Sequence, residues 1–79
     1  MNYVMNSYNI YNGYNAFDGP LFIVVIAKSE KKAIELAREE YKEEAKQWKY
    51  TEDFYTNLTA ELVEEDVLKH GGYVAGAFL

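Results

Sequence analysis

A Tyr-Asn rhythm near the start of the chain carries the clearest chemical signal in this sequence. Three pairs recur every three residues, Tyr8-Asn9, Tyr11-Asn12 and Tyr14-Asn15, and Phe17 follows them. Tyrosine gives a large rigid contact area at low entropic cost and asparagine gives adaptable hydrogen bonds, a mixture typical of binding loops. Either the rings are ordinary strand and core aromatics, or Tyr11, Tyr14 and Phe17 form an exposed surface that binds a partner.

Acidic side chains form the second candidate surface. The formal net charge is −5, and residues 50–79 contain six acidic side chains against one basic one, Lys69. We expect four of them to steer the protein toward a basic surface of a protein partner: Glu61, Glu64, Glu65 and Asp66. A solvated face that only aids solubility is the alternative, and chelation of a hard cation with Asp53 is the less favoured one. An acidic chain disfavours direct nucleic-acid binding.

Catalysis and cofactors have no support in the sequence. It contains no cysteine, a single histidine (His70), and no phosphate-binding loop, dinucleotide fingerprint or nucleophile-elbow motif. One histidine without a nucleophilic cysteine or further metal ligands is typical of a turn residue. We therefore predict a protein that is not an enzyme and that has no metal site and no cofactor.

The chain start and its apolar segments bear on location. Residues 1–6 lack the basic region and apolar run of a secretory signal, and the longest apolar run, residues 21–27, has seven residues. A helical membrane span needs about 20. We expect a cytoplasmic protein, in a bacterial host cell, with no membrane role.

Two strands are predicted in the first third of the chain. Residues 8–11 can begin a strand, but Asn12-Gly13, Asp18-Gly19 and Pro20 are turn signals that predict a loop after it. This prediction places Tyr11, Tyr14 and Phe17 among surface turn residues. Residues 21–27 are β-branched and continuously apolar, which is typical of a central strand covered on both faces.

A helix is predicted from the N-cap residue Ser29 to about Trp48. An apolar stripe with helical spacing should pack on the sheet: Ile34, Ala37, Tyr41, Ala45 and Trp48, with Ala33 and Leu36 at its edges.

The last third predicts two more strands. Leu58, Ala60 and Leu62 alternate with polar or exposed positions, so residues 57–64 indicate a half-buried strand. A helix competes, because Phe54, Leu58 and Leu62 are also spaced by four. Residues 66–71 then form a tight connection, and residues 72–79 form a glycine-containing final strand. We predict one α+β domain, residues 1–79, of order ββαββ, with an antiparallel sheet and one helix packed on one face.

Three stretches of the chain carry a resemblance to a known group: Tyr11-Asn12-Gly13-Tyr14 with Asp18-Gly19, Ala27-Lys28-Ser29-Glu30-Lys31-Lys32-Ala33, and Gly71-Gly72-Tyr73-Val74-Ala75-Gly76-Ala77-Phe78. They resemble small phage- and plasmid-encoded proteins, among them type II-C anti-CRISPR inhibitors that block a CRISPR nuclease domain. The likeness implies a small inhibitor that occupies a host defence protein. The chain departs from those inhibitors at Ala75 and Gly76, where they present short polar side chains, so no contact residue carries over.

The leading functional prediction is a non-catalytic inhibitor that binds and blocks a bacterial defence or nucleic-acid-processing protein. Tyr11, Tyr14 and Phe17 would be its anchors. Two alternatives stay open. One is a protein that sequesters a small ligand such as a nucleotide signal, and the other is a structural homo-oligomer that pairs through its final strand.

Overall fold

A computed structural model describes residues 4–67, which form three strands and two helices. In chain order these are β1 (Asn6–Ala16), β2 (Gly19–Ala27), α1 (Glu30–Trp48), α2 (Asp53–Thr56) and β3 (Thr59–Glu64). The strands form an antiparallel sheet of order β2-β1-β3, with α1 as the main helix. This confirms the predicted α+β class. The predicted connection from residue 68 onward and the predicted final strand, residues 72–79, lie outside the described residues.

Strand β1 is longer than the sequence predicted. Asn12-Gly13 does not end it, and the strand continues to Ala16 through an irregularity in its pairing with β2. Tyr11 pairs with Phe22 and Asn15 with Pro20, so three residues of β1 lie opposite one residue of β2. Gly13 has a φ of 87°, which glycine adopts at little cost. The expected loop after Tyr11 is therefore wrong, because its turn chemistry is used for a β-bulge instead.

Strand β2 follows β1 after a hairpin turn of two residues, Phe17 and Asp18. Its apolar run alternates between buried positions toward α1 (Ile23, Val25 and Ala27) and half-buried positions on the other face. Among the three described strands β1 lies in the middle. The prediction that β2 is central stays a prediction, since it depends on residues 72–79.

Helix α1 has the predicted bounds. Its first turn is capped by the Ser29 hydroxyl oxygen, which accepts a hydrogen bond from the Lys32 backbone N–H at 3.1 Å. Its last turn closes at Lys49, which adopts the left-handed conformation with a φ of 61°. The Tyr50 N–H then donates to the Ala45 carbonyl oxygen at 2.9 Å, as in a Schellman motif.

The buried stripe of α1 is displaced from the predicted one. It consists of Ala33, Ala37, Tyr41 and Ala45, and Ile34 lies half-buried at its edge. Trp48 was expected in the stripe but is 57% exposed. The chain reverses at Lys49, and the ring that packs on the core residue Phe54 is instead that of Tyr50.

Tyr41 joins the helix to the middle of the sheet. Its side chain is fully buried, and its hydroxyl group donates to the Ile10 carbonyl oxygen at 2.7 Å. Burial raises the pKa of Tyr41 above the usual tyrosine value. The neighbouring alanines of α1 let the helix backbone lie close to the sheet, so this long side chain can reach β1.

Segment 53–64 contains both conformations that the sequence left in competition. Residues 59–64 form β3 and confirm the predicted strand, whereas the helix is limited to the single turn of α2. Leu58 and Ala60 pack against the core, and Leu62 is exposed near the end of the strand.

Candidate functional site: an aromatic groove at the hairpin tip

A groove of about 350 Å³ lies where the β1–β2 hairpin meets the end of α1 and α2. We call it the aromatic groove. The side chains that define it are Tyr14, Phe17, Leu21, Glu44, Tyr50 and Phe54. They come from the hairpin, from α1 and from residues 50–54. The hairpin is distant in sequence from the other two, so the groove depends on the packing of the hairpin against the helices.

Asn12 fixes two walls of the groove relative to each other. This side chain is only 2% exposed, and its Nδ2 donates to the Phe54 carbonyl oxygen at 2.8 Å. Its Oδ1 accepts from the Tyr14 backbone N–H at 3.0 Å. A buried amide with both ends bonded orients the bulge of β1 and anchors α2. Asn12 is therefore a positioning residue for the groove.

Phe54 is the ring on which the groove is built. It is buried, and the Tyr14 ring meets it edge-on, with centroids 4.9 Å apart and an interplanar angle of 67°. Tyr50 packs on it at 4.6 Å, and Tyr41 approaches from the core side at 5.6 Å. Such tilted and edge-to-face pairs are the favoured aromatic arrangements. The groove therefore has an ordered aromatic lining.

A polar cluster holds the Tyr14 hydroxyl group at the rim. Tyr14 Oη donates to Asp53 Oδ1 at 2.9 Å, and the Thr51 hydroxyl group donates to the same oxygen. Hydrogen bonds from Thr51 and Tyr14 lower the pKa of Asp53, and the bond to Asp53 raises the pKa of Tyr14. Near neutral pH the cluster is thus a carboxylate held by two neutral donors.

Glu44 gives the groove its charge. Its side chain is half-buried at the groove wall and forms no hydrogen bond or ion pair with any residue of the described segment 4–67. The helix positions three and four residues away are Glu40, Tyr41, Gln47 and Trp48, none of them basic. No basic side chain among the described residues lines the groove. A carboxylate therefore shares the groove lining with four aromatic residues and has no counterion from this part of the chain.

Phe17 stands at the outer end of the groove. Its side chain is 99% exposed in the two-residue hairpin turn, next to the exposed Asp18. Leaving a phenyl ring in water costs free energy, whereas most turn positions are polar. The position of Phe17 is that of an anchor available to a partner.

A second groove, of about 430 Å³, lies on the other side of Tyr50, between α1 and the segment that leads to Tyr55. Its charges are mixed: Glu39 and Glu43 stand with Lys42 and Lys46. Lys42 Nζ lies 5.8 Å from the centre of the Tyr55 ring. This groove carries its own cations, and the aromatic groove does not among the residues described.

The structure separates the predicted site residues into three places. Two of the three predicted anchor residues, Tyr14 and Phe17, line the aromatic groove. Tyr11 and Glu61 lie on the sheet face opposite α1, where Tyr11 Oη donates to Glu61 Oε1 at 2.7 Å. This hydrogen bond raises the pKa of Tyr11 above the usual tyrosine value. Tyr11 also packs on Phe22, with ring centroids 5.6 Å apart.

The remaining acidic residues lie at the far end of the sheet from the hairpin tip. Glu64 pairs with Ser7 near the start of β1, and Glu65 and Asp66 follow it. Ten residues of β1 and its turn separate Ser7 from Phe17, a distance of roughly 30 Å at strand geometry. These acids therefore do not border the aromatic groove.

Two further properties concern residues 4–67. No group of three or more histidine, cysteine, aspartate or glutamate side chains there is placed to hold a metal ion. Neither described helix is long and apolar enough to cross a membrane.

Sequence reasoning missed Glu44, Tyr50 and Phe54 as members of the site. A signal existed for the two aromatics, since residues 48–55 contain four aromatic side chains, Trp48, Tyr50, Phe54 and Tyr55. Glu44 had no such signal, because its sequence context is that of any exposed helical glutamate. Only the fold makes it half-buried and leaves it without an ion pair or hydrogen bond among residues 4–67.

The fold and the groove together define a small α+β protein with an acidic, aromatic-lined surface groove at one end of the sheet that the three described strands form. Comparison of the chain with protein-family models, curated proteins and solved structures gives no match.

Proposed function

We propose that the protein is a non-catalytic binding protein that occupies a basic surface of a partner protein, with the hairpin tip and the aromatic groove as its contact site. The observation that carries the proposal is Phe17, 99% exposed beside a groove whose described lining is aromatic and acidic. Exposed aromatic anchors at the centre of a patch are typical of interaction hot spots.

The charge of the site supports a basic partner. Glu44 lines the groove, Asp53 holds the Tyr14 hydroxyl group, and Asp18 flanks Phe17. An anionic nucleotide would meet these carboxylates without a basic side chain from the described lining, which counts against the small-ligand alternative. The same argument counts against direct contact with a nucleic-acid backbone.

The resemblance to small phage- and plasmid-encoded inhibitors suggests the class of partner. It implies an inhibitor encoded by a mobile element that acts in the cytoplasm of a bacterial host and blocks a CRISPR nuclease or another defence or nucleic-acid-processing protein. Glu61, Glu64, Glu65 and Asp66 would steer the encounter with such a partner from a distance, since they lie away from the groove.

Phe17→Ser tests the contact site. Candidate partners, including a type II-C CRISPR nuclease, are purified and titrated calorimetrically with the wild type and the variant. Because Phe17 makes no buried contact, the variant should keep its thermal midpoint within a few degrees. A hot-spot loss of about 2 kcal/mol or more weakens the complex at least roughly thirtyfold.

Val63→Ser is the matched control, since Val63 is another exposed apolar residue, on β3. It should bind as tightly as the wild type. Equal affinity of wild type and Phe17→Ser for every partner that the wild type binds would place the interface elsewhere. The mass of the free protein in sedimentation equilibrium tests the homo-oligomer alternative in the same preparations.

A further inference from the structure

We infer that the aromatic groove receives an arginine side chain of the partner, with its guanidinium group against the rings and its charge facing Glu44. This inference rests on the proposed function, since it names the chemical group that the same site takes. It follows from three features of the groove: its shape, its rings and its uncompensated carboxylate.

The volume suits a single side chain. About 350 Å³ lies between the hairpin and the helix ends, at the lower end of the range of small-molecule pockets. A folded domain cannot enter such a space. A long side chain that projects from a partner surface can, with its aliphatic stem along Leu21 and its charged end inside.

The rings favour a cation. Tyr14 and Tyr50 both line the groove and pack on Phe54, one edge-on and the other tilted. The face of an aromatic ring attracts a cation within about 6 Å of its centre. The protein uses this contact in its second groove, where Lys42 approaches Tyr55.

The lack of a counterion for Glu44 among the described residues indicates that a partner should provide the cation. Glu44 is half-buried, it has no ion-pair or hydrogen-bond partner among the described residues, and its helix neighbours at three and four positions carry no positive charge. Partial burial of a carboxylate without a partner is unfavourable, and an incoming cation removes that penalty.

Arginine fits better than lysine for geometric reasons. A guanidinium group is planar, stacks on aromatic faces and donates two parallel hydrogen bonds to one carboxylate. It is also less strongly hydrated than an ammonium group, so its transfer into a half-buried groove costs less.

The test uses small probes and backbone-amide NMR of the folded wild-type protein. Nα-acetyl-arginine amide is titrated beside the citrulline analogue, which has nearly the same shape but no charge, and the lysine analogue. A probe of this size should bind with a Kd on the order of 1 mM. The arginine probe should shift the resonances of Tyr14, Glu44 and Tyr50 in a saturable way, with citrulline at least tenfold weaker.

Two variants locate the charge. Glu44→Gln should weaken the arginine probe at least fivefold. Glu40→Gln is the matched control, because it removes the same charge one helical turn earlier, at an exposed position outside both grooves. It should change the Kd less than twofold. Neither residue has a contact whose loss would unfold the protein, and a thermal melt of each variant verifies this.

Three results would overturn the inference. These are a citrulline probe that binds within twofold of arginine, a lysine probe that binds as tightly as arginine, or no saturable shift at about twenty times the expected Kd. The proposed function is judged separately by the effect of Phe17→Ser on a protein partner. Loss of partner binding in that variant with no arginine response leaves the binding function standing and removes the arginine assignment alone.

Discussion

The side-chain amide of Asn12 donates a 2.8 Å hydrogen bond to the carbonyl oxygen of Phe54, which lies 42 residues later in the chain. The bond is buried and joins the bulge of β1 to the single turn of α2. The same amide holds the Tyr14 N–H through its oxygen. One side chain thus sets the relative placement of two rings that line the aromatic groove.

Asn12→Ala should destabilise the protein by about 1–3 kcal/mol, because a buried carbonyl and a backbone N–H lose their partner. Denaturant unfolding measures the change. Asn15→Ala is the matched control on the same strand, since Asn15 is exposed, and it should stay within about 0.5 kcal/mol of wild type. Equal losses in the two variants would show that the Asn12 bonds contribute nothing to stability.

Tyr41 provides a graded test of the core. Tyr41→Phe removes the bond to the Ile10 carbonyl oxygen and should cost about 0.5–1.5 kcal/mol, whereas Tyr41→Ala should cost about 3–5 kcal/mol. Ile34→Ala should fall at the lower end of the core range, about 2 kcal/mol, because Ile34 is half-buried. Trp48→Ala, at an exposed position, should cost least. A larger loss for Trp48 than for Tyr41 would contradict the burial of Tyr41 and the exposure of Trp48.

Acid should weaken the link between the hairpin and α2. The folded-state pKa of Asp53 lies below the ordinary value of 3.8, so its contribution to stability is present above that pH and is lost as the pH falls below it. The wild type should therefore exceed Asp53→Asn in free energy of unfolding near neutral pH, and the difference should shrink toward about pH 2.

The matched control for the pH series is Asp18→Asn, an exposed aspartate without a hydrogen bond among the described residues. Denaturant melts at several pH values provide the comparison. A difference between wild type and Asp53→Asn that keeps its size from neutral pH to about pH 2 would remove Asp53 from the pH dependence.

The far acidic residues should affect the rate of association. Combined substitution of Glu64→Gln, Glu65→Gln and Asp66→Asn should slow binding to a basic partner at low salt and leave dissociation nearly unchanged, as for charges outside the contact. Asparagine suits residue 66, whose φ of 53° lies in the left-handed region. Stopped-flow rates at two salt concentrations measure the effect. Association that is equally fast in the variant would show that these acids serve solubility alone.

Local signals in the sequence predicted the helix and strand positions better than the features that depend on strand pairing. The Ser29 cap, the extent of α1 to Trp48 and the strand after Leu58 follow from capping, helix propensity and alternation, which are short-range effects. Asn12-Gly13 is a position where the local signal gave the wrong element. These two residues are typical of a turn, but β1 pairs with β2 before them at Tyr11 and after them at Asn15, and this pairing makes the segment a bulge. Strand pairing is not a local property of the dipeptide.

The part of the site that local sequence determines was predictable, and the part that depends on tertiary packing was not. Exposure of Phe17 follows from its place beside Asp18-Gly19 in a hairpin turn, which the sequence indicates. The role of Tyr14 as a groove wall depends on Phe54 and Asp53, and no periodicity links those positions. Glu44 differs from the other helical glutamates only because the hairpin packs beside α1 and makes Glu44 part of the groove lining.

The aromatic groove is built from three parts of the chain, so its surface exists only in the folded protein and not in any short peptide. A synthetic peptide that contains the Tyr-Asn rhythm and Phe17 carries only one of the three walls, because Glu44 and the Tyr50–Phe54 pair come from elsewhere in the chain. Such a peptide should not compete with the whole protein. If a partner binds at this groove as proposed, recognition and folding are coupled, because the partner binds the native state and not the unfolded or partly degraded forms of the chain.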